Sequence, residues 1–244
     1  MNVSGQNLSD AHGDRHAFAG CAAQDASPHV LRTKKISPTL EFETALWEQG
    51  FLIVAGIDEA GRGAWAGPVS AGAVVLPADP EVLTRLEGVR DSKLMSPAER
   101  EAMFDIVKNE SKAWAVGEAN AAEIDRIGIL NATKAAMKRA IDGLGVVPDH
   151  LLIDYVRLHD VTIPQTGIIH GDMLSLSIAC ASVLAKVSRD RYMRSTVAEL
   201  YPQYQFDQHK GYGTKLHQEM LKQYGPCPIH RRSFKPLSTD LTLF

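Results

Sequence analysis

An α/β domain with a mixed sheet flanked by helices follows from three features of this 244-residue sequence. Two apolar runs face each other across a glycine-rich turn. Strand-like and helix-like periods then alternate, and a long stretch after Ser175 has one apolar side studded with small residues.

Residues 1–37 show no sustained period and are rich in small and polar types, which predicts a disordered or loosely attached extension ahead of a domain over 38–244. "TLEFETALWEQG" spaces Leu40, Phe42, Leu46 and Trp47 as a short amphipathic helix that stops at Gly50. "FLIVAGID" reads as a buried strand, with "GPVSAGAVVL" as its antiparallel neighbour. Ser96, Pro97 and Glu99 form a helix-start signature for "SPAEREAMFDIVKNE". "KAWAVGEAN" is a third strand and "ILNATKAAMKRAIDGL" a helix ended by glycine, while "HLLIDYV" and "TGIIHGD" are two further strands. Ile178, Val183, Leu184, Val187, Met193 and Val197 line one helix over 175–200, and Ala179, Ala181 and Ala185 allow it to lie close on a sheet. One more helix is expected near "TKLHQEMLKQY".

A 45% hydrophobic and 23% charged composition argues against wholesale disorder or a fibrous repeat. The sequence contains no apolar run of the roughly 20 residues that span a bilayer and no secretory pattern at its start, so no membrane role is expected. Three cysteines without metal or disulfide spacing suit a reducing compartment, and the cytoplasm is the expected location. Net charge is −3, yet residues 172–236 carry 10 Lys and Arg against 5 Asp and Glu, a basic region able to follow a phosphate backbone.

Asp58 and Glu59 stand side by side after an apolar run and before Gly61 and Gly63. Successive strand side chains point to opposite faces, so both carboxylates can serve one site only if the strand ends or distorts there. Asp154 and Asp172 also follow apolar runs, and strand ends of an α/β sheet converge on one edge. Carboxylates about 4 Å apart repel by roughly 4 kcal/mol per pair at an effective dielectric near 20, so the four need a cation. All-oxygen ligands select Mg2+ or Mn2+, and two such ions about 3.5–4 Å apart serve phosphodiester hydrolysis.

The chain resembles the ribonuclease HII family, the type 2 ribonucleases H. The resemblance rests on "GIDEAGRG", "DSKLMSPAERE", "LLID", "GDMLSLSIACASVLAKVSRDRYM", "YPQYQFDQHKGYGTKLH" and "GPCPIHRRSF", in the family's order over residues 40–236. It implies a ribonuclease H-like mixed sheet with a C-terminal helical extension. The implied activity is hydrolysis of the RNA strand of RNA–DNA hybrids and incision 5′ of ribonucleotides embedded in duplex DNA, leaving a 3′-hydroxyl and a 5′-phosphate. By resemblance, Asp58, Glu59, Asp154 and Asp172 hold two Mn2+ or Mg2+ ions. Gly61, Arg62 and Gly63 bring backbone to the ribose 2′-hydroxyl, and Tyr212 packs on the sugar at the ribo-to-deoxyribo junction. Lys93, Lys186 and Arg189 are candidate phosphate contacts, although Asp190 lies four residues after Lys186 and offers an ion pair instead. Cys180, His209, His230 and Trp114 are read as core residues.

The implied partners are the hybrid or ribonucleotide-containing duplex, with a sliding clamp as a further candidate and a monomer as the expected state. The related ribonuclease HIII is expected to carry an extra folded N-terminal domain, for which residues 1–37 are short. Ala64 and Trp65 replace the usual proline and leucine, Tyr155 replaces a common glycine, and Leu174 stands where a lysine is usual. Tyr155 and Leu174 keep open a hybrid-binding protein with weakened catalysis. The acids alone also fit a magnesium phosphohydrolase of small esters.

Overall fold

Val54, Ala55 and Ile57 are at most 2% exposed, as an apolar run placed at the centre of a sheet must be. They belong to β1 (Val54–Ala60), the middle strand of the computed structural model, which describes residues 37–238. The expected extension up to residue 36 lies outside them. β2 (Val69–Val75) and β3 (Ala113–Ala119) follow antiparallel, while β4 (His150–Asp154) pairs parallel with β1 and β5 (Gln165–Ile168) parallel with β4. The order β3-β2-β1-β4-β5 is a mixed sheet, as expected.

The helices are α1 (Glu41–Trp47), α2 (Val82–Arg85), α3 (Pro97–Glu110), α4 (Ala121–Ile127), α5 (Ile129–Asp142), α6 (Gly171–Leu174), α7 (Leu176–Tyr192), α8 (Ala198–Leu200), α9 (Phe206–His209) and α10 (Lys215–Tyr224). Ser96 accepts the Glu99 N–H and the Glu99 carboxylate accepts the Ser96 N–H, a reciprocal cap worth about 1 kcal/mol to the start of α3. One face of the sheet buries Ala55, Ile57, Ala71 and Ala73 with Ala136, Met137 and Ala140 of α5. On the other face α7 lies against β1 and β2 at glycine distance. A Cβ on Gly56 would come 2.2 Å from the Ser177 backbone, and one on Gly72 2.2 Å from the Ala181 carbonyl. That contact explains the small residues of α7 and leaves no room for larger ones at these strand positions.

Three expectations need correction. The strand expected across "TGIIHGD" ends at Ile168, because His170 turns into a left-handed conformation at φ +57° and starts α6, so Asp172 comes from a helix. The single helix expected over 175–200 changes to a π-helical turn over Met193–Val197 before α8. Trp114 is 37% exposed, its ring covered by the Lys108 ammonium 4.8 Å from its centroid, rather than buried. The tail also holds α9, which the sequence reading passed over.

Beyond α8 the chain builds a second small core from Tyr204, Phe206, Leu221, Cys227 and Leu237, and this core closes on Ala66 and Trp65. The C-terminal extension is thereby seated on the loop that follows β1.

Candidate active site

β1 does not break between Asp58 and Glu59, contrary to the expectation. Both remain paired with β2, Asp58 opposite Gly72 and Glu59 opposite Ala71, whereas pairing with β4 stops at Ile57. Asp58 faces α7, where Ser182 reaches its carboxyl, and Glu59 leaves from the opposite face. The two reach a common partner around the open end of the β1–β4 seam, for Asp154 at the end of β4 repels both.

The electrostatics record this crowding. Asp58, 3% exposed, is pushed well above the usual carboxylate range by burial, then by Glu59 and Asp154. Burial also raises Glu59, with Arg62 opposing from 3.2 Å and Asp154 adding to the shift. Burial and the repulsion of Asp91 raise Asp172, against Lys93, whose ammonium stands 3.4 Å from it. Burial alone would lower Lys93, but Asp172, Asp91 and Asp58 together raise it. The Asp154 carboxylate accepts the Gly171 N–H at 2.8 Å, which joins the end of β4 to the turn carrying Asp172.

Divalent cations fit this arrangement. Every donor is a carboxylate oxygen, the raised acids lack sufficient positive charge, and Glu59 Oε2 is buried without a hydrogen-bond partner. Among the described residues no three acid, histidine or cysteine side chains converge tightly enough to mark a metal position, Arg62 and Lys93 being the cations in contact with the acids.

The glycine loop is held from beneath by two buried arginines. Arg189 donates to the carbonyls of Pro68, Lys210 and Ala66 at 2.8–3.0 Å, and Arg231 to those of Gly67, Arg62 and Pro68 at 2.9 Å. Both are 0% exposed. Arg189 therefore cannot serve as the surface phosphate contact expected of it, since its guanidinium is spent on backbone. Gly61 is required by this clamp: at φ +89° its Cβ would come 2.1 Å from Arg189 Nε. A Cβ on Gly63 would meet nothing within 4 Å, so that side of the loop faces open space.

Tyr212 belongs to the same surface. Gly211 O accepts the N–H groups of Trp65 and Ala66, and the Tyr212 ring lies 5.0 Å from Lys186 Nζ and 5.2 Å from the Arg189 guanidinium carbon. Lys186 also makes the anticipated ion pair with Asp190 at 2.7 Å. Trp65, one of the departures from the family pattern, fills the space above Gly213, where a Cβ would come 2.2 Å from the indole. Sequence reasoning missed Arg231, Asp91 and Ser182. For Asp91 a signal existed, since "DSK" places an Asp ahead of a short turn and its carboxylate accepts the Lys93 N–H.

Tyr155, immediately after Asp154, is 68% exposed at φ +59°, the centre of a three-residue turn closed by the Val156 N–H on the Asp154 carbonyl at 2.6 Å. A non-glycine residue in this conformation costs about 1 kcal/mol or more. Tyr155→Gly should raise the melting temperature by about 2 °C, the strain relief exceeding the added unfolded-state entropy. Thermal unfolding checks this, and a fall would mean that packing of the ring outweighs the strain.

No helix among the described residues is long and apolar enough to cross a membrane. The family model described as Ribonuclease HII matches residues 55–237. A ribonuclease HII of Desulfitobacterium hafniense is 49% identical over 214 residues, covering 88% of this chain and 80% of that protein. The crystal structure of ribonuclease H2 from Pyrococcus horikoshii OT3 superposes with a TM-score of 0.57 at 27% identity, over 76% of this chain and 95% of that one. The ribonuclease HII of Archaeoglobus fulgidus, solved in a complex with PCNA, shares the fold with a TM-score of 0.61 at 22% identity, over 78% and 98% of the two chains. With its mixed sheet, its acids gathered from β1, the end of β4 and the start of α6, and more than half of its length matched, this chain belongs to the ribonuclease HII family.

Proposed function

We propose that this metal-dependent ribonuclease H, an endonuclease of RNA–DNA hybrids, also incises on the 5′ side of single ribonucleotides within duplex DNA, leaving a 3′-hydroxyl and a 5′-phosphate. The observation that carries this reading is the joining of the glycine loop to Tyr212, through Trp65 and Ala66 N–H groups on Gly211 O, beside four carboxylates. A small phosphate ester would have no use for that wall.

Asp58, Glu59, Asp154 and Asp172 would hold two Mg2+ or Mn2+ ions, which when bound supply activation of water and charge stabilisation of the leaving oxygen. The chain's own residues do the rest. Lys93, with 77% of its side chain exposed beside Asp172, offers a cation to a phosphate. The backbone around Gly63 has open space for a ribose, and a 2′-hydroxyl is the group that separates RNA from DNA. The half-buried Tyr212 offers an apolar ring face to the sugar and a hydroxyl to its oxygens. Ser182 and Lys93 orient Asp58 and Asp172, so that the carboxylates are set before substrate arrives.

Purified protein incubated with a duplex carrying one ribonucleotide, in Mg2+ or Mn2+, should nick it 5′ of the ribonucleotide and leave an all-DNA duplex intact. Absence of nicking with either ion would sink the reading, and equal cutting of the all-DNA duplex would remove the role given to the glycine loop.

A further inference from the structure

Beneath Tyr212 lie three buried histidines that the chemistry above does not use. His209, His217 and His230 are 5%, 0% and 1% exposed. The rings of His209 and His217 stack at 4.2 Å and 13°, and Nε2 of His217 is 3.0 Å from Nε2 of His230. Their tautomers follow from groups that can only donate or only accept. The Cys227 N–H points at His230 Nδ1 from 3.0 Å, so that nitrogen accepts and the proton is on Nε2. The Cys227 carbonyl, 3.2 Å from the same nitrogen, takes the His230 backbone N–H instead, a ring proton there would point at the Cys227 N–H, and the Cys227 thiol at 3.1 Å can donate to the nitrogen as well. His230 Nε2–H must then donate to His217 Nε2, which leaves the His217 proton on Nδ1, 3.0 Å from the Tyr212 carbonyl. In parallel the Gly211 N–H enters His209 Nδ1 at 3.1 Å, and His209 Nε2–H donates to the Tyr204 carbonyl at 2.8 Å.

We propose that His230, His217 and His209 are positioning residues for substrate: two imidazole relays, His230 through His217 to the Tyr212 carbonyl and the Gly211 N–H through His209 to the Tyr204 carbonyl, fix the backbone of Gly211 and Tyr212 and so set where the Tyr212 ring meets the sugar. The inference rests on the reading of Tyr212 as a substrate contact. Burial holds all three rings neutral, carrying His217 down to about 3 and His230 to about 4. Around them stand Cys227, Tyr204 and Arg232, with Asp207 and Lys210 near His209. Of the charged groups, Asp207 alone favours an imidazolium.

The test is a double-mutant cycle on the full chain, read as KM and kcat for a single-ribonucleotide duplex. Tyr212→Ala should raise KM about tenfold, the scale of one lost stacking contact. His217→Phe, which keeps a ring but no donor, should raise KM by about five- to tenfold in the native background and by less than about twofold on top of Tyr212→Ala. His217→Asn, whose amide nitrogen stands near the place of Nδ1, should recover KM to within about twofold of the native value. Should the Phe variant not fold, His217→Gln replaces it in the cycle, since its amide reaches the place of Nε2 and misses the Tyr212 carbonyl. Nitrogen NMR of the native chain near neutral pH should show His217 protonated on Nδ1 and His230 on Nε2. An undiminished His217 effect in the Tyr212→Ala background, or the opposite tautomers, overturns the proposal. A native KM for Tyr212→Ala instead refutes the reading of Tyr212 on which it stands.

Discussion

Asp58→Asn should abolish cleavage by about 10³-fold or more while leaving the metal-free protein more stable than the native chain. The first half follows from what a divalent ion contributes, several kcal/mol of transition-state charge stabilisation at about 1.4 kcal/mol per factor of ten. The second follows from the mutual repulsion of the carboxylates when no cation is bound. The folded pKa of Asp58 is raised above 3.8 by burial, Glu59 and Asp154, so the folded state holds its proton more tightly than the unfolded chain does. Such a group favours folding below pH 3.8 and loses that contribution as pH climbs from there through its raised folded pKa. Above that window a buried, repelled carboxylate opposes folding, and asparagine removes the charge at nearly constant volume. The stability gap between Asp58→Asn and the native chain should therefore be widest at neutral pH and close as pH falls toward 3.8. Millimolar Mg2+ or Mn2+ should raise the melting temperature of the native chain and leave the variant nearly unmoved. A variant less stable than the native chain at neutral pH, or one that still cleaves, would remove Asp58 from the role given to it.

The elements were legible where one local rule decided them. Ser96, Pro97 and Glu99 announce the start of α3 because capping involves only neighbours. The buried β1 and the small-residue face of α7 could be read from composition, since apolar runs and alanines have few other places to go. The four acids stand out by their position after apolar runs, but the way Asp58 and Glu59 approach Asp154 does not. Asp58 and Glu59 converge because the β1–β4 seam ends at Ile57, a fact set by strand pairing with residues almost a hundred positions later. Arg189 and Arg231 were illegible for a related reason. A charge in "VSRD" or "HRRS" reads as solvated surface, and the backbone carbonyls of residues 62–68 and of Lys210, brought in by the fold, make burial tolerable. The histidines read as core residues are core, yet their tautomers depend on Cys227 and Tyr212, which no period reveals.

The second large effect is expected at that arginine clamp. Arg231 and Arg189 are both buried and both donate to Pro68 O, and among the described residues neither has a carboxylate at ion-pair distance, so the charge of Arg189 disfavours that of Arg231. Burial and Arg189 carry the Arg231 guanidinium down to about 9, which still leaves it charged at neutral pH. Repulsion of this kind would be removed by any neutral residue, and if charge were the whole matter Arg231→Met would be harmless. The hydrogen bonds decide otherwise. Three donors to backbone carbonyls, each worth about 1.5–3 kcal/mol when the donor is charged, exceed what relief of repulsion returns, and Gly67 O and Arg62 O would be left without this donor in the interior. Lysine does not repair this, because one ammonium on a flexible stem cannot span the carbonyls of Arg62, Gly67 and Pro68 at 2.9 Å as a planar fork does. Both Arg231→Lys and Arg231→Met should therefore lose about 3 kcal/mol, a fall in melting temperature of roughly 6–12 °C for a chain of this size. Cleavage should fall further than stability explains, by about 10- to 100-fold at a temperature where both variants remain folded, because a glycine loop displaced by even 1 Å misplaces the sugar against the carboxylates. Thermal unfolding and cleavage of the single-ribonucleotide duplex measure the two effects separately. A lysine variant that melts and cuts like the native chain would show that the loop keeps its shape without the fork, and that its glycines alone dictate its course.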